Sequence, residues 1–178
     1  MRLVILDRDG VINTDSDAYI KSPAEWIPIP GSLEAIAALT NAGFNVAVAT
    51  NQSGLARGLF DIDTLNRIHG VMMDRVAAVG GRIDAIAFCP HGPDAGCACR
   101  KPAPGLLLAL GKRFGTTLHD VPVIGDSLRD LEAALSVGAK PILVRTGKGR
   151  LASAQLPSHL TGITVVDDLD AAVATILA

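Results

Sequence analysis

Leu3-Val4-Ile5-Leu6 runs without a polar break straight into Asp7-Arg8-Asp9-Gly10. Such a short apolar run, cut off by a turn signal, suits a strand buried on both faces, as the inner strands of a parallel sheet are. Open α/β sheets gather their ligands at the C-terminal ends of these strands. Asp7 and Asp9 are one residue apart, so an extended chain projects both to the same side. Two like charges that close are costly unless a cation or a shared proton offsets them. An Asp-Gly step is also an ordinary way to end a strand. The first ten residues alone therefore leave a turn and a site both open.

The strand pattern recurs along the chain. Residues 45–49, 84–88, 121–125 and 140–144 read as further buried strands, and 163–166 as an edge strand. Between them, helices are predicted over 31–42, 61–79, 104–114, 127–137 and 168–177. Asp61 is placed to cap its helix, Pro104 to open one, and Gly43, Gly80-Gly81 and Gly115 to stop theirs. His69 and Met72-Met73 fall within the helix over 61–79 and read as core or surface positions rather than ligands. Residues 11–30 have no clean periodicity, and a loop of that length beside an acidic pair reads as functional. Alternation of strand and helix throughout implies an α/β fold: a doubly wound, Rossmann-like parallel sheet in a single domain over 1–178, with no large cap domain.

Composition narrows the partners. The 178 residues are enough for one full core, and 49% are hydrophobic but only 3% aromatic, so Ala, Val, Leu and Ile must fill it. A net charge of −2 without a basic run argues against nucleic acid. The apolar stretch 3–6 is too short for the core of a signal peptide, and no stretch approaches the roughly 20 residues of a membrane span. A cytoplasmic protein without membrane contact, and a monomer, is the expectation.

Several strand ends carry groups with chemistry in them. Thr50-Asn51-Gln52-Ser53-Gly54 follows the second strand, and its amides and hydroxyls suit an anion, though an ordinary strand-to-helix turn would use the same residues. After the third strand, Cys89, His91, Cys97 and Cys99 fall within eleven residues of a Gly/Pro-rich loop, 89–99. Cys₃His is a structural Zn²⁺ set with no open coordination position; a reduced thiol cluster is the alternative, and Cys-x-Cys is not the usual redox spacing. Arg100-Lys101 abuts that loop, so a zinc clip would hold two cations in place. Asp126-Ser127 ends the fourth strand, with Asp130 a turn beyond; either could serve only as a helix cap. Taken together, Asp7, Asp9 and Asp126 suit one hard cation such as Mg²⁺, and Thr50 and Lys101 suit a phosphate beside it. One carboxylate is then free to act as nucleophile and another as acid and base.

In order, Asp7-Arg8-Asp9-Gly10, Thr50, Lys101 and Gly125-Asp126-Ser127-Leu128-Arg129-Asp130 resemble the four motifs of the haloacid dehalogenase superfamily. Within it, the stretches TNQSGLARG and CPHGPDAGCACRKP look like a sugar-bisphosphate branch; histidinol-phosphate phosphatases carry a similar clip but usually have Asp at the position of Ser53. The resemblance implies Mg²⁺-dependent removal of the 7-phosphate of a heptose 1,7-bisphosphate through an aspartyl phosphate, on the route to nucleotide-activated heptose for lipopolysaccharide. A histidinol-phosphate phosphatase and a catalytically silent sugar-phosphate-binding protein are the alternatives. It further implies Asp7 as nucleophile and Asp9 as acid and base. By the same resemblance, Mg²⁺ is expected on Asp7, the Asp9 carbonyl and Asp126, with Thr50 and Lys101 on the phosphoryl oxygens. Substrate contacts are implied for Arg8, Asp15, Tyr19, Asn51, Gln52, Ser53, Arg100 and Ser127, besides Asp7, Asp9, Thr50 and Lys101, and Zn²⁺ for Cys89, His91, Cys97 and Cys99. The cation is expected to lower the pKa of Asp7 and the neighbouring charge to raise that of Asp9. Asp130 falls outside the ligand set, and short loops, including 15–19, must close the site.

Overall fold

The computed structural model describes residues 2–178. Six strands, β1 (Arg2–Leu6), β2 (Phe44–Asn51), β3 (Ala85–Cys89), β4 (Pro122–Gly125), β5 (Lys140–Val144) and β6 (Thr164–Val166), form one parallel sheet in the order β3-β2-β1-β4-β5-β6. Six helices connect and cover them: α1 (Ser32–Asn41), α2 (Ile62–Ala78), α3 (Gly105–Phe114), α4 (Leu128–Ser136), α5 (Gly149–Ala154) and α6 (Leu169–Leu177). The doubly wound expectation holds, edge strand included. The sequence reading placed no helix at α5, because its single turn and a half carries too few apolar positions to show a period.

Alternation along β1 explains both layers of core. Val4 and Leu6 face one side, with Ile36 and Leu39 of α1, Ile68 and Met72 of α2, and Val173 of α6. Leu3 and Ile5 face the other, with Leu106, Leu107 and Leu110 of α3 and Ala133 and Ala134 of α4. A smaller cluster joins Leu131, Leu143, Ala152 and Leu160 under α5. Each such aliphatic side chain contributes about 1.5–3 kcal/mol of transfer free energy, so β1, apolar on both faces, is the most tightly specified strand. Helix ends follow local chemistry. The Asp61 carboxylate accepts from the Thr64 N–H at 2.8 Å, and Gly115 closes α3 in the left-handed region at φ 61°. Among the described residues no helix is long and apolar enough to cross a membrane.

The strand order places the site. Winding from β1 runs outward through β2 and β3, then returns to β4 on the other side of β1. The C-terminal ends of β1 and β4 therefore flank the topological switch point, where α/β sheets open a crevice. Asp7 and Asp126 follow those two ends.

Candidate active site

A cavity of about 370 Å³ lies at this crevice. Its lining includes Asp7, Asp9, Asp15, Tyr19, Thr50, Asn51, Gln52, Ser53, Arg100, Lys101, Asp126 and Ser127. All the substrate-facing positions expected from the sequence are thus gathered in one place, with one exception. The Arg8 side chain does not reach the cavity. Arg8 is wholly buried, and its guanidinium turns away from the opening to grip Asp9, with Nη2 at 2.9 and 3.1 Å from the two carboxylate oxygens and Nε at 3.1 Å from Oδ1. Extended chain sends alternate side chains to opposite sides, so the Arg8 side chain points under the floor that Asp7 and Asp9 form, and only its main chain, whose N–H donates to Asp7 Oδ1 at 2.8 Å, faces the site.

Lys101 is the hub of the floor. Its ammonium, 4% exposed, lies 3.0 Å from Asp7 Oδ1 and 2.6 Å from Asp130 Oδ1, and donates to the Ala49 carbonyl at 2.7 Å. Burial alone would lower its pKa, but Asp130 and then Asp7 outweigh burial and hold it above the usual lysine range. Asn51 fixes the main chain here: its amide nitrogen donates to the Lys101 carbonyl at 3.1 Å and its oxygen accepts the Lys101 N–H at 3.0 Å. Asn51 lines the cavity while its amide is spent on Lys101. Gln52 donates both to Asp9 Oδ2 at 3.0 Å and to the Thr50 hydroxyl oxygen at 2.9 Å, leaving the Thr50 proton free to point outward.

Charge in this floor is unbalanced. Asp7, Asp9, Asp126 and Asp130 face the buried cations Arg8 and Lys101. Asp7 is raised well above the carboxylate range, by burial first; Lys101 opposes this, but divides its charge between Asp7 and Asp130. Asp126 is pushed up to about 7 by burial and by Asp130, against the Lys148 N–H that donates to it at 2.8 Å. Burial would raise Asp9 too, but the Arg8 guanidinium and hydrogen bonds from Asn13 and Gln52 outweigh it, and its pKa falls below the usual value. In the protein alone the two acids thus shift opposite to expectation. The sequence argument weighed neighbouring carboxylates without seeing the private cation beneath Asp9.

That imbalance is the test for a divalent ion. Asp7, Asp126 and Asp130 each offer a carboxylate oxygen within 4.8 Å of the others. Asp130 already uses Oδ1 on Lys101 and Oδ2 on the Ser127 N–H and hydroxyl, so Asp7 and Asp126 are the free oxygen donors. Hard carboxylate oxygens at a buried anionic point fit Mg²⁺. The backbone must come close to allow it. Gly10 and Gly147, at φ 82° and 55°, both press on Asp126 Oδ2, where any Cβ would collide with the carboxylate.

Beside the cavity, loop 89–99 folds its four candidate ligands together. Sulfur separations are 3.2 Å (Cys89–Cys99), 3.5 Å (Cys97–Cys99) and 3.7 Å (Cys89–Cys97), and His91 Nδ1 lies 3.5 and 3.3 Å from the sulfurs of Cys89 and Cys99. Tetrahedral bonds of about 2.3 Å to sulfur require edges near 3.8 Å, so the cluster fits Zn²⁺. Burial, then Cys99, pushes the Cys89 thiol up to about 12, which a bound dication would reverse. The clip tethers the site directly: Arg100, next to Cys99, donates to the His91 carbonyl at 3.3 Å.

Arg57, Arg129 and Lys148 also line the cavity, and the sequence reading gave them no role. Lys148 pairs with Asp15 at 3.3 Å, and Arg57 lies over the Tyr19 ring at 5.8 Å, so these cations tie down the loop 15–19 that lines one side of the opening. Lys148 was detectable in principle, because the basic stretch 145–149 follows β5 at the ligand-binding end of the sheet.

Comparison with known proteins agrees with this geometry. Residues 98–172 match the HAD-hydrolase-like family model. The D-glycero-beta-D-manno-heptose-1,7-bisphosphate 7-phosphatase of Bordetella bronchiseptica is 58% identical over 173 residues, covering 96% of this chain and 95% of the relative. The enzyme of the same name from Pseudomonas aeruginosa is 53% identical over 176 residues, covering 98% and 97%. The crystal structure of the B. bronchiseptica D,D-heptose 1,7-bisphosphate phosphatase, complexed with magnesium and phosphate, superposes with a TM-score of 0.95 at 57% identity over 99% of this chain and 98% of that one. With the phosphate-and-cation floor assembled as described, the chain belongs to the D-glycero-beta-D-manno-heptose-1,7-bisphosphate 7-phosphatase family.

Proposed function

We propose that this protein is a Mg²⁺-dependent phosphatase that removes the 7-phosphate of D-glycero-β-D-manno-heptose 1,7-bisphosphate, supplying a heptose 1-phosphate for lipopolysaccharide precursors. The β anomer is the one its relatives' names carry. The observation that bears most weight is the meeting of Asp7, Lys101 and Asp126, from three separate segments, in one cavity.

Asp7 acts as the nucleophile. Its Oδ1 accepts from the Arg8 N–H at 2.8 Å and from Lys101, which fixes the carboxylate so that one oxygen faces phosphorus while the other is available to a cation. A bond from a carboxylate oxygen of Asp7 to phosphorus forms as the bond from phosphorus to the sugar oxygen breaks, and Asp9 delivers a proton to that sugar oxygen. An arriving phosphate adds negative charge beside Asp9 and favours the protonated form this step needs. Asp9 then takes a proton from water as the water attacks phosphorus, which frees Asp7 and inorganic phosphate. Thr50 and Lys101 hold the phosphoryl oxygens. Asp7, Asp126 and the Asp9 carbonyl would hold Mg²⁺, which supplies charge neutralisation between the carboxylates and the phosphate. Cys89, His91, Cys97 and Cys99 would hold structural Zn²⁺, keeping Arg100 aimed at the sugar phosphate. Asp15, Tyr19, Asn51, Gln52, Ser53 and Ser127 shape the remainder of the opening.

Every group used in this mechanism comes from one chain, which fits a monomeric enzyme with a single domain over 1–178; a cytoplasmic location completes the proposal. Phosphate release from both anomers of the heptose bisphosphate and from histidinol phosphate, with and without Mg²⁺, tests the reading; ³¹P NMR locates the ester cleaved. Faster turnover of histidinol phosphate, or equal rates after Mg²⁺ is chelated, overturns it.

A further inference from the structure

Arg8 has a second partner that the proposed mechanism does not use. Three of its donor contacts form the fork on Asp9. The remaining nitrogen, Nη1, lies 3.2 Å from Nε2 of His69, which is its one partner among the described residues. His69 comes from α2, 61 positions away, and is 5% exposed. Its ring tilts 58° against Phe88 of β3, at 6.3 Å between centroids, so the imidazole is held in orientation by the sheet. A guanidinium is always a donor, so Nε2 must accept and the ring proton sits on Nδ1. Burial and the facing guanidinium keep the ring neutral, with its pKa lowered to about 4.

We infer that His69 is a positioning residue for the phosphatase reaction: by accepting from Arg8 Nη1 it locks the guanidinium fork that orients the Asp9 carboxylate. The inference rests on the reading of Asp9 as acid and base. Without the acceptor, Nη1 is a buried donor with no partner among the described residues, and the planar head shifts as a unit to find one, which pulls on the fork that holds Asp9. Asp9 needs that support because its side chain stands at the cavity, where proton transfer tolerates little misplacement. Asn13 and Gln52 each give Asp9 one further hydrogen bond, but neither grips both oxygens.

Two substitutions at one site separate this role from packing. His69→Leu fills the volume without an acceptor; His69→Gln keeps an acceptor oxygen on a side chain of similar reach. The relay predicts that His69→Leu lowers kcat by about tenfold or more, the scale of a lost supporting partner, with KM within about twofold. It predicts that His69→Gln stays within about threefold of the parent. In ¹⁵N-labelled protein the Arg8 Nε–H signal should remain protected from exchange in His69→Gln and lose protection in His69→Leu. If packing alone matters, the order reverses, because Leu suits a buried site better than Gln; that order, or equal kcat in both, overturns the inference. Should His69→Leu not accumulate as folded protein, His69→Met takes its place in the same comparison. Asp9→Asn is the control for the underlying reading. An active Asp9→Asn removes that reading, whereas an inactive Asp9→Asn with full kcat in His69→Leu removes the relay alone.

Discussion

Two clusters of metal-seeking groups sit side by side at the C-terminal end of the sheet, and they are built in opposite ways. The zinc clip is local: its four ligands span eleven residues, and His91 is exposed. The acidic floor is assembled from afar: Asp7, Lys101 and Asp126 come from three segments, and its hub lysine is 4% exposed. A local cluster needs a metal to hold its own loop, because few apolar contacts hold it otherwise. The buried floor is held by the sheet whatever occupies it, and a cation there would balance its charge. On the proposed reading the clip controls order, and the floor controls chemistry. They meet at Arg100-Lys101, where the last thiol ligand is two residues from the hub.

The contrast is broken or sharpened by four measurements. The largest effect belongs to the floor: Asp7→Asn should lower kcat by about 10⁴-fold or more, as loss of a nucleophile does. Its melting temperature should stay level or rise, because a carboxyl that burial already disfavours is removed. A melting temperature that falls steeply would mean that the floor also carries stability. Next comes the clip. Cys99→Ser should cost zinc and about tenfold to hundredfold in kcat/KM through misplaced Arg100 and Lys101, while far-ultraviolet circular dichroism keeps its helical signal. Unchanged kcat/KM in zinc-free protein would separate the clip from the site.

Acid should distinguish the two regions thermodynamically. The His69 pKa is lowered to about 4 in the fold from the usual imidazole value of 6.5, by burial first and then by the Arg8 guanidinium. Above pH 6.5 the ring is neutral in both states and contributes no pH dependence. As pH falls from 6.5 to 4, the unfolded chain binds a proton that the folded one refuses, so stability is lost, by about 3 kcal/mol in all. Below pH 4 both states are protonated and the loss levels off. Asp7 and Asp126, both raised in the fold, act in the opposite sense in either protein. Denaturant titrations of zinc-loaded parent and His69→Gln across this window should therefore differ by that amount, with the parent losing stability relative to the variant as pH falls. The smallest effect is at the rim: Lys148→Ala removes a half-exposed pair with Asp15 and should raise KM about twofold to fivefold. The Lys148 N–H that supports Asp126 is retained, so Mg²⁺ dependence should not move.

Much of this site was legible in the linear chain because each strand announces its own end. Asp7, Thr50 and Asp126 each follow an apolar run, and the rule that ligands gather at C-terminal strand ends needs only the order of elements. The clip was legible for a simpler reason, since its spacing alone brings four ligands within reach. The burial of the Arg8 side chain was not legible, because a motif gives the residue type and not the direction in which its side chain leaves the strand. Lys148 was passed over because its relation to Asp126 depends on two glycines packed face to face across 137 positions of chain. His69 reads from the sequence as one more core or surface position on α2, since nothing near it hints at an arginine 61 residues earlier.

Local sequence by itself determined the alternation of strand and helix, the caps at Asp61 and Gly115, the gathering of Cys89, His91, Cys97 and Cys99, and which polar side chains follow the strand ends. These depend on propensity, periodicity and short spacing, which act over a few residues. Tertiary structure alone decided the protonation order of the acids, the cation beneath Asp9 and the lysine shared by Asp7 and Asp130. Those are electrostatic facts, set by burial and by distances across the sheet, and such distances exist only once the chain has folded.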